Sequence, residues 1–289
     1  MTPPWDRSYP DKDVLRQEVR CMTEVFTQVL LDTIGEREIA GVYFKGSAQK
    51  AWDSPVDYVP ELSDVDLHLL FADDTGVERH LGAVEQAMRI QAEVEKRYFA
   101  ERVKPVHLPR PQLIVLNQLV KQADYLGSPR SAVTALYGAE PPEADYRDGE
   151  RVRDIAFRQL VELADYLRTF PLHVVDKPGR FLWQSLRQMV WRVSPIGSKV
   201  LVLRDVTPDE AWGANRTTLV SKLESLGERQ LSADYAGFYL SGWDYFLSGY
   251  ADHDAARSAL ASGIRAIRRA VEIAGAHDAE RADDLKASP

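Results

Sequence analysis

Val42-Tyr43-Phe44-Lys45-Gly46-Ser47 and Ser63-Asp64-Val65-Asp66-Leu67-His68-Leu69-Leu70-Phe71 are the two stretches on which the fold is read. The first closes a β-branched and aromatic run, Ile39 to Phe44, that suits a buried strand ending at a glycine. The second is a strand, in which residues i and i+2 point to one face, roughly 6.6 Å apart along the chain. Asp64 and Asp66 therefore project side by side, while Val65, Leu67 and Leu69 point the other way, into a core. His68 falls on the face of the aspartates, where the pattern suits both an ordinary polar residue of an open sheet and a substrate-side role.

Two carboxylates so close repel each other and raise one pKa unless a cation lies between them. Magnesium prefers one or two carboxylates completed by phosphate oxygens. Gly46 and Ser47 supply the complementary half. They are expected to open a short helix through Ala48 to Trp52, with the glycine allowing close approach and the first amides meeting a phosphate. Lys45 flanks this turn as a phosphate contact or as a plain surface lysine. The set predicts a phosphoryl-transfer site, with Asp64 and Asp66 as catalytic and metal-ligating residues and Gly46, Ser47 and Lys45 as nucleotide-binding residues.

Outward from this centre, Asp11 to Ile34 has helical spacing and stops at Gly35. Asp53 to Pro60, with Pro55, Asp57 and Pro60, reads as a loop. Glu78 to Glu101 reads as one helix with Val84, Met88, Ile90 and Val94 inward, and Leu113 to Leu116 as a third strand. Beyond Pro129, Gly138, Pro141 and Pro142, strand signals fade. Helices are predicted over Arg151–Leu167, Phe181–Val193, Pro208–Leu226, Leu231–Leu247 and Asp254–Ala274. Strands first and helices after favour an α+β class: a mixed sheet with flanking helices over residues 1–145, a helical bundle over 146–276 and a polar tail over 277–289.

Composition bounds the function classes. Hydrophobic residues make up 45% and charged residues 28%, ordinary for a globular chain. A formal net charge of −8 weighs against a general nucleic-acid coat, which needs a basic surface. Cys21, the single cysteine, forms no intrachain disulfide and is expected as a buried thiol. No run reaches the ~20 apolar residues of a membrane span, and the N-terminus shows no secretion signal, so a cytoplasmic protein is expected.

The helical half is rich in aromatics. Phe181, Trp183, Leu186 and Val190 make a stripe expected in the core, flanked by Lys177, Arg180, Arg187 and Arg192. Tyr235, Phe238, Tyr239, Trp243, Tyr245, Phe246 and Tyr250 exceed what one helix needs for packing, and the surplus suits an acceptor pocket or a homodimer contact.

Gly46, Ser47, Asp64 and Asp66 resemble the signature of the nucleotidyltransferase superfamily that includes DNA polymerase β. In layout the chain is most similar to bacterial antibiotic nucleotidyltransferases such as the aminoglycoside adenylyltransferases. Leu136-Tyr137-Gly138 resembles the short apolar-glycine turn after their core. The resemblance implies transfer of a nucleoside monophosphate, AMP from ATP, to a hydroxyl-bearing small-molecule acceptor, with release of pyrophosphate. Mg2+ would sit on Asp64 and Asp66. An acceptor that is a protein or tRNA is the second reading.

Two departures stand out. The spacer between Ser47 and Asp64 is longer than in compact members, and as a loop beside the site it suits either contact with substrate or partial cover of it. The family also places a third acid on a following strand, where this chain has Gln112. An amide neither carries charge nor acts as a general base. That leaves a base from elsewhere (Glu140, Asp145 or Asp148), a single nucleotide-side metal, or a nucleotide-binding regulatory module without turnover.

Overall fold

The computed structural model describes residues 2–142 and 148–287, with side chains as far as His277. The chain is α+β and divides into two units: Trp5–Ala51 with Ser63–Asp145, and Met1–Pro4 with Trp52–Leu62 and Tyr146–Pro289. Among the described residues no helix is long and apolar enough to cross a membrane.

The first unit is built on a four-stranded mixed sheet in the order β3-β2-β1-β4. Its strands are β1 (Ile39–Lys45), β2 (Asp64–Phe71), β3 (Arg110–Val115) and β4 (Val133–Gly138). β1 runs antiparallel to β2 and β4, and β2 runs parallel to β3. One face carries the core. Val42, Leu69 and Phe71 pack with Met22, Val29 and Leu30 of helix α1 (Lys12–Ile34) and with Ile90, Val94 and Tyr98. Cys21 is a buried free thiol in the same cluster, as its spacing predicted. The N-terminus of α1 is capped by Asp11, whose side chain accepts from the amides of Asp13 and Val14.

Several expectations are corrected here. Glu78 to Glu101 is two helices, α2 (Gly76–Leu81) and α3 (Val84–Glu101), parted at Gly82 and Ala83. Ile90, Val94 and Tyr98 form the buried stripe of α3, whereas Val84 and Met88 are 68% and 65% exposed. Leu136, Tyr137 and Gly138 are part of an edge strand instead of a free turn, and Gly138 takes φ +78° at its end. β3 begins at Arg110, three residues before the expected start; a short helix, α4 (Leu116–Leu119), follows it. As an edge strand β3 tolerates Pro111.

The second unit is helical: α5 (Gly149–Val161), α6 (Leu163–Val174), α7 (Leu182–Val193), α8 (Ile196–Leu203), α9 (Pro208–Gly213), α10 (Arg216–Ser225), α11 (Arg229–Leu247) and α12 (His253–Ala287). Tyr235, Phe238, Tyr239 and Trp243 of α11 are wholly buried, and small residues of α12, among them Ala256, Ala259, Ala266 and Ala270, let the two helices pack closely. Most of the supposed aromatic surplus is thus core. On α7 the buried stripe is Leu182, Leu186, Met189 and Val190, so Trp183 stands half-buried and Phe181 is exposed. The helix α8 has no polar face for a periodic signal to find, since all eight of its residues are buried.

Trp52–Leu62 does not behave as a surface loop. Trp52, Ser54 to Pro60 and Leu62 are buried, and the Trp52 and Tyr58 rings stack at 4.3 Å. Asp57 accepts from the amides of Asp53 (2.8 Å), Ser54 (3.0 Å) and Thr217 (2.8 Å) and from the Thr217 hydroxyl (2.6 Å). Arg216 donates to the carbonyls of Val56 and Asp57, lying 3.9 Å from the Tyr239 ring centre. The Trp243 indole donates to Pro55 O at 2.7 Å. Gly242 makes room for Leu62, whose Cδ2 would lie 2.8 Å from a Cβ there. The spacer is therefore an internal strut of the helical unit, and these side chains are committed to packing instead of to a substrate.

Two stability outcomes follow. Asp57→Ala strands several buried donors and lowers stability by roughly 2–4 kcal/mol, read as a fall in the urea midpoint with helicity retained in buffer. Lys199 is the second case. It is 9% exposed on α8, and burial pushes its pKa from 10.5 down to about 8, with Glu162 pulling the other way. Between those two values the unfolded chain binds more protons, so stability rises with pH across that window; below it the charged form carries a constant penalty. Lys199→Met should therefore be more stable than the parent at pH 7 by roughly 1–3 kcal/mol. Thermal melts of both chains should show that gap shrinking as the pH rises toward 10, and a constant gap would refute the buried-charge account.

Candidate functional site

The face of the sheet opposite the core gathers the site within the first unit. Register places Lys45 opposite Asp66 across the antiparallel pair, and Asp66 opposite Gln112 and Asp64 opposite Arg110 across the parallel pair. Alternation along β2 puts Asp64 and Asp66 on that face, as expected, because Val65, Leu67 and Leu69 on the other side are completely buried.

Each oxygen of the pair has a definite neighbour. Asp64 Oδ1 accepts from Arg110 Nη2 at 2.6 Å and from Nε at 2.9 Å. The Gln112 amide, turned with its nitrogen toward the carboxylates, donates to Asp64 Oδ2 at 2.8 Å and to Asp66 Oδ1 at 3.3 Å. Asp66 Oδ2 lies over Gly46, so close that a Cβ on that residue would fall 2.0 Å away. Asp64 is buried and Asp66 half-buried.

The glycine is needed twice, for this close approach and for φ +83°, a left-handed conformation that disfavours a side chain. Ser47 to Gln49 then form a turn in place of the expected short helix, with Gly46 O accepting from the amides of Gln49 and Lys50. No helix dipole therefore acts here; what remains for a phosphate is a tight turn of peptide groups and the half-buried Ser47. Arg16 of α1 holds the turn by donating to Lys50 O at 2.8 Å, and Gln49 reaches Thr134 of β4 at 3.1 Å.

Lys45 is not a plain surface lysine. It is half-buried on the face, and burial pushes its ammonium below the ordinary value while the Asp66 carboxylate pulls it back. His68 shares the face and is 5% exposed, with Nε2 buried and without a hydrogen-bond partner. Burial first, and then the Lys45 charge, lower its pKa to about 3, so it is a neutral imidazole at physiological pH.

Of the replacements weighed for the third acid, Glu140 is the one among the described residues of this unit. Glu140 follows β4, where its carbonyl accepts from the Tyr43 hydroxyl. That hydroxyl folds over Gly41, at the other end of β1 from Gly46 and about 13 Å along the strand from Lys45. Asp148 is the N-cap of α5, in the helical unit, and accepts from the Arg151 amide. Asp145 lies outside the described residues. Arg110 was missed, although Arg110 and Gln112 at i and i+2 share a strand face; beginning the strand at Leu113 hid the pair.

The donor set fits a magnesium-type ion. Among the described residues no cluster of three or more His, Cys, Asp or Glu side chains could hold a metal, so a cage built from protein ligands is not offered. Two adjacent carboxylates are, and one Gln112 nitrogen already reaches an oxygen of each. Asp64 and Asp66 would hold the ion. A half-turn of the amide would present the Gln112 oxygen instead, and phosphate and water would complete the shell. Compared with known protein families, with curated proteins and with solved structures, the chain matches none.

Gly46→Ala is expected to cost roughly 1–3 kcal/mol through the left-handed backbone and to push the Asp66 carboxylate aside. Hydrogen exchange over β1 and β2 checks it, and protection equal to that of the parent chain would show that the collision is harmless.

Proposed function

We propose that this chain is a magnesium-dependent nucleotidyltransferase that moves a nucleoside monophosphate, AMP from ATP, to a hydroxyl-bearing small molecule. One observation carries the reading: the Asp64–Asp66 pair meets the Gly46-Ser47 turn, with Asp66 Oδ2 packed over Gly46. Carboxylates for a cation and peptide groups for a polyphosphate are thereby adjacent, which is what phosphoryl transfer needs of a protein.

In the proposed reaction the acceptor oxygen bonds to the α-phosphorus. The bond from that phosphorus to the oxygen bridging to the β-phosphate breaks, pyrophosphate leaves with its electron pair, and the acceptor's proton passes to water. The divalent ion, when bound, supplies charge neutralisation of the triphosphate. Asp64 and Asp66 would hold it, the turn that Gly46 opens would offer its peptide groups to the triphosphate, and Ser47 would donate its hydroxyl to a phosphate oxygen. Lys45, on the strand beside Asp66, would add positive charge at the same edge.

A second reading, nucleotide binding without turnover, draws on Gln112 and on the ion pair already made by Asp64. The two are separated by labelled ATP presented with Mg2+ to panels of hydroxyl-bearing small molecules, proteins and tRNA. The proposal expects label transfer with pyrophosphate release. Transfer should be abolished by chelation and reduced at least about a hundredfold in Asp64→Asn and in Asp66→Asn, both folded by circular dichroism. Tight ATP–Mg2+ binding with no transfer to any panel would favour the binding module, and absence of nucleotide binding would remove both.

A further inference from the structure

The four carboxylate oxygens at the site are not equivalent, and the difference bears on how many ions it can take. Asp64 Oδ2 and Asp66 Oδ1 share the Gln112 amide nitrogen, which a cation can replace once the amide turns. Asp66 Oδ2 is packed over Gly46. Asp64 Oδ1 is engaged by a guanidinium through two nitrogens, at 2.6 and 2.9 Å.

A two-metal centre holds its ions about 3.5–4 Å apart, bridged by carboxylates whose outer oxygens are available to the second ion. Here the outer oxygen of Asp64 is taken by Arg110, and the strand position that faces Asp66 is a neutral amide. The balance of charge agrees. Two carboxylates face one fixed guanidinium, with Lys45 beside Asp66, so the negative charge that recruits any ion has to come from the nucleotide, and no further carboxylate stands by to hold a second. A guanidinium offers Asp64 a fixed planar fork that a lysine would not reproduce, and it remains charged at any physiological pH.

We propose that Arg110 stands in place of a second metal ion: the centre takes one divalent cation, between Asp64 Oδ2 and Asp66 Oδ1, and the guanidinium on Asp64 Oδ1 supplies the positive charge on the other side. The inference rests on the nucleotidyltransferase reading and deepens it. Arg110 acts through Asp64 as a positioning residue, holding that carboxylate's rotamer so that Oδ2 faces Asp66.

Native mass spectrometry of the full chain, with saturating Mn2+ and the α,β-methylene analogue of ATP, counts the ions directly. The unaltered chain is expected to carry a single Mn2+ with the nucleotide. The double variant Arg110→Met with Gln112→Glu, which removes the fork and restores a third carboxylate, is expected to carry two. Arg110→Lys keeps the charge and is expected to stay at one. Two ions in the unaltered chain would overturn the inference while leaving the nucleotidyltransferase reading in place, as would a folded double variant that still holds one. Neither Mn2+ nor nucleotide on the unaltered chain would remove that reading together with the inference. If the double variant does not fold, the count on the unaltered chain decides alone.

Discussion

Two carboxylates set side by side on a strand, one of them buried, are what the sheet unit is organised to accommodate. An uncompensated pair of this kind repels itself and is poorly solvated, so neighbouring strands must supply donors and positive charge. β3 does so only in its parallel register with β2, which sets Arg110 against Asp64 and Gln112 against Asp66. A slip of one residue would turn both side chains to the core face and bring Pro111 and Leu113 to the carboxylates. The register is fixed from outside the site. Glu18 of α1 accepts from the amides of Val106 and His107 and from His107 Nδ1, and Tyr98 of α3 donates to His107 O. The chain is thus clamped three residues before Arg110, and α1 also holds the Gly46 turn through Arg16. One helix positions both halves of the site.

The spacer between those halves has a different job from the one its length suggested. Between Ser47 and Asp64 the chain leaves the sheet unit at Ala51 and rejoins it at Ser63, and the intervening Trp52–Leu62 is part of the helical unit's interior. Buried polar groups explain its rigidity. The Asp57 carboxylate and the Arg216 guanidinium tie it to the start of α10, and Trp243 ties it to α11. The glycine-serine turn and the aspartate strand are therefore the two points at which an anchored segment is joined to the sheet. The extra residues relative to a compact turn are accounted for by packing.

What could be read from the sequence tracks where burial is one-sided. β2 alternates because one face is core and the other carries the acids, so Asp64 and Asp66 were placed correctly by spacing alone. β1 and the cap and stop of α1 were legible for the same kind of reason. β4 was not, since an edge strand with mostly half-exposed residues gives no alternation. Neither was α8, where complete burial erases the helical period, nor the division of Arg151–Leu167 and Pro208–Leu226 into α5 with α6 and α9 with α10. The Gly-Ser turn is legible as a motif, but in place of the short helix expected through Ala48 to Trp52 the chain closes a turn on Gly46 O. Arg110 stayed hidden because Pro111 masks the start of β3; on an edge a proline is permitted, and the i, i+2 rule then delivers both Arg110 and Gln112 to the face of the aspartates.

Gln112 and Arg110 have to be understood together. Replacing a third carboxylate by an amide alone would leave a site with two negative charges and ordinary affinity for a divalent ion. Adding a guanidinium on Asp64 removes one of those charges permanently, because arginine does not deprotonate. The chain's own residues then leave little net negative charge to attract a free ion, and an incoming triphosphate has to supply the remainder. Under the proposed function, such an arrangement would couple a metal to the nucleotide by charge balance alone. It would also give the work of aligning Asp64 to a planar fork, which engages Asp64 Oδ1 through two nitrogens. Among the described residues at this face, Gln112 cannot serve as a base for the acceptor's proton, and burial and the Lys45 charge lower the His68 pKa to about 3, which makes it a weak base. If the site transfers a nucleotide, its contribution therefore lies in positioning and electrostatics more than in proton abstraction.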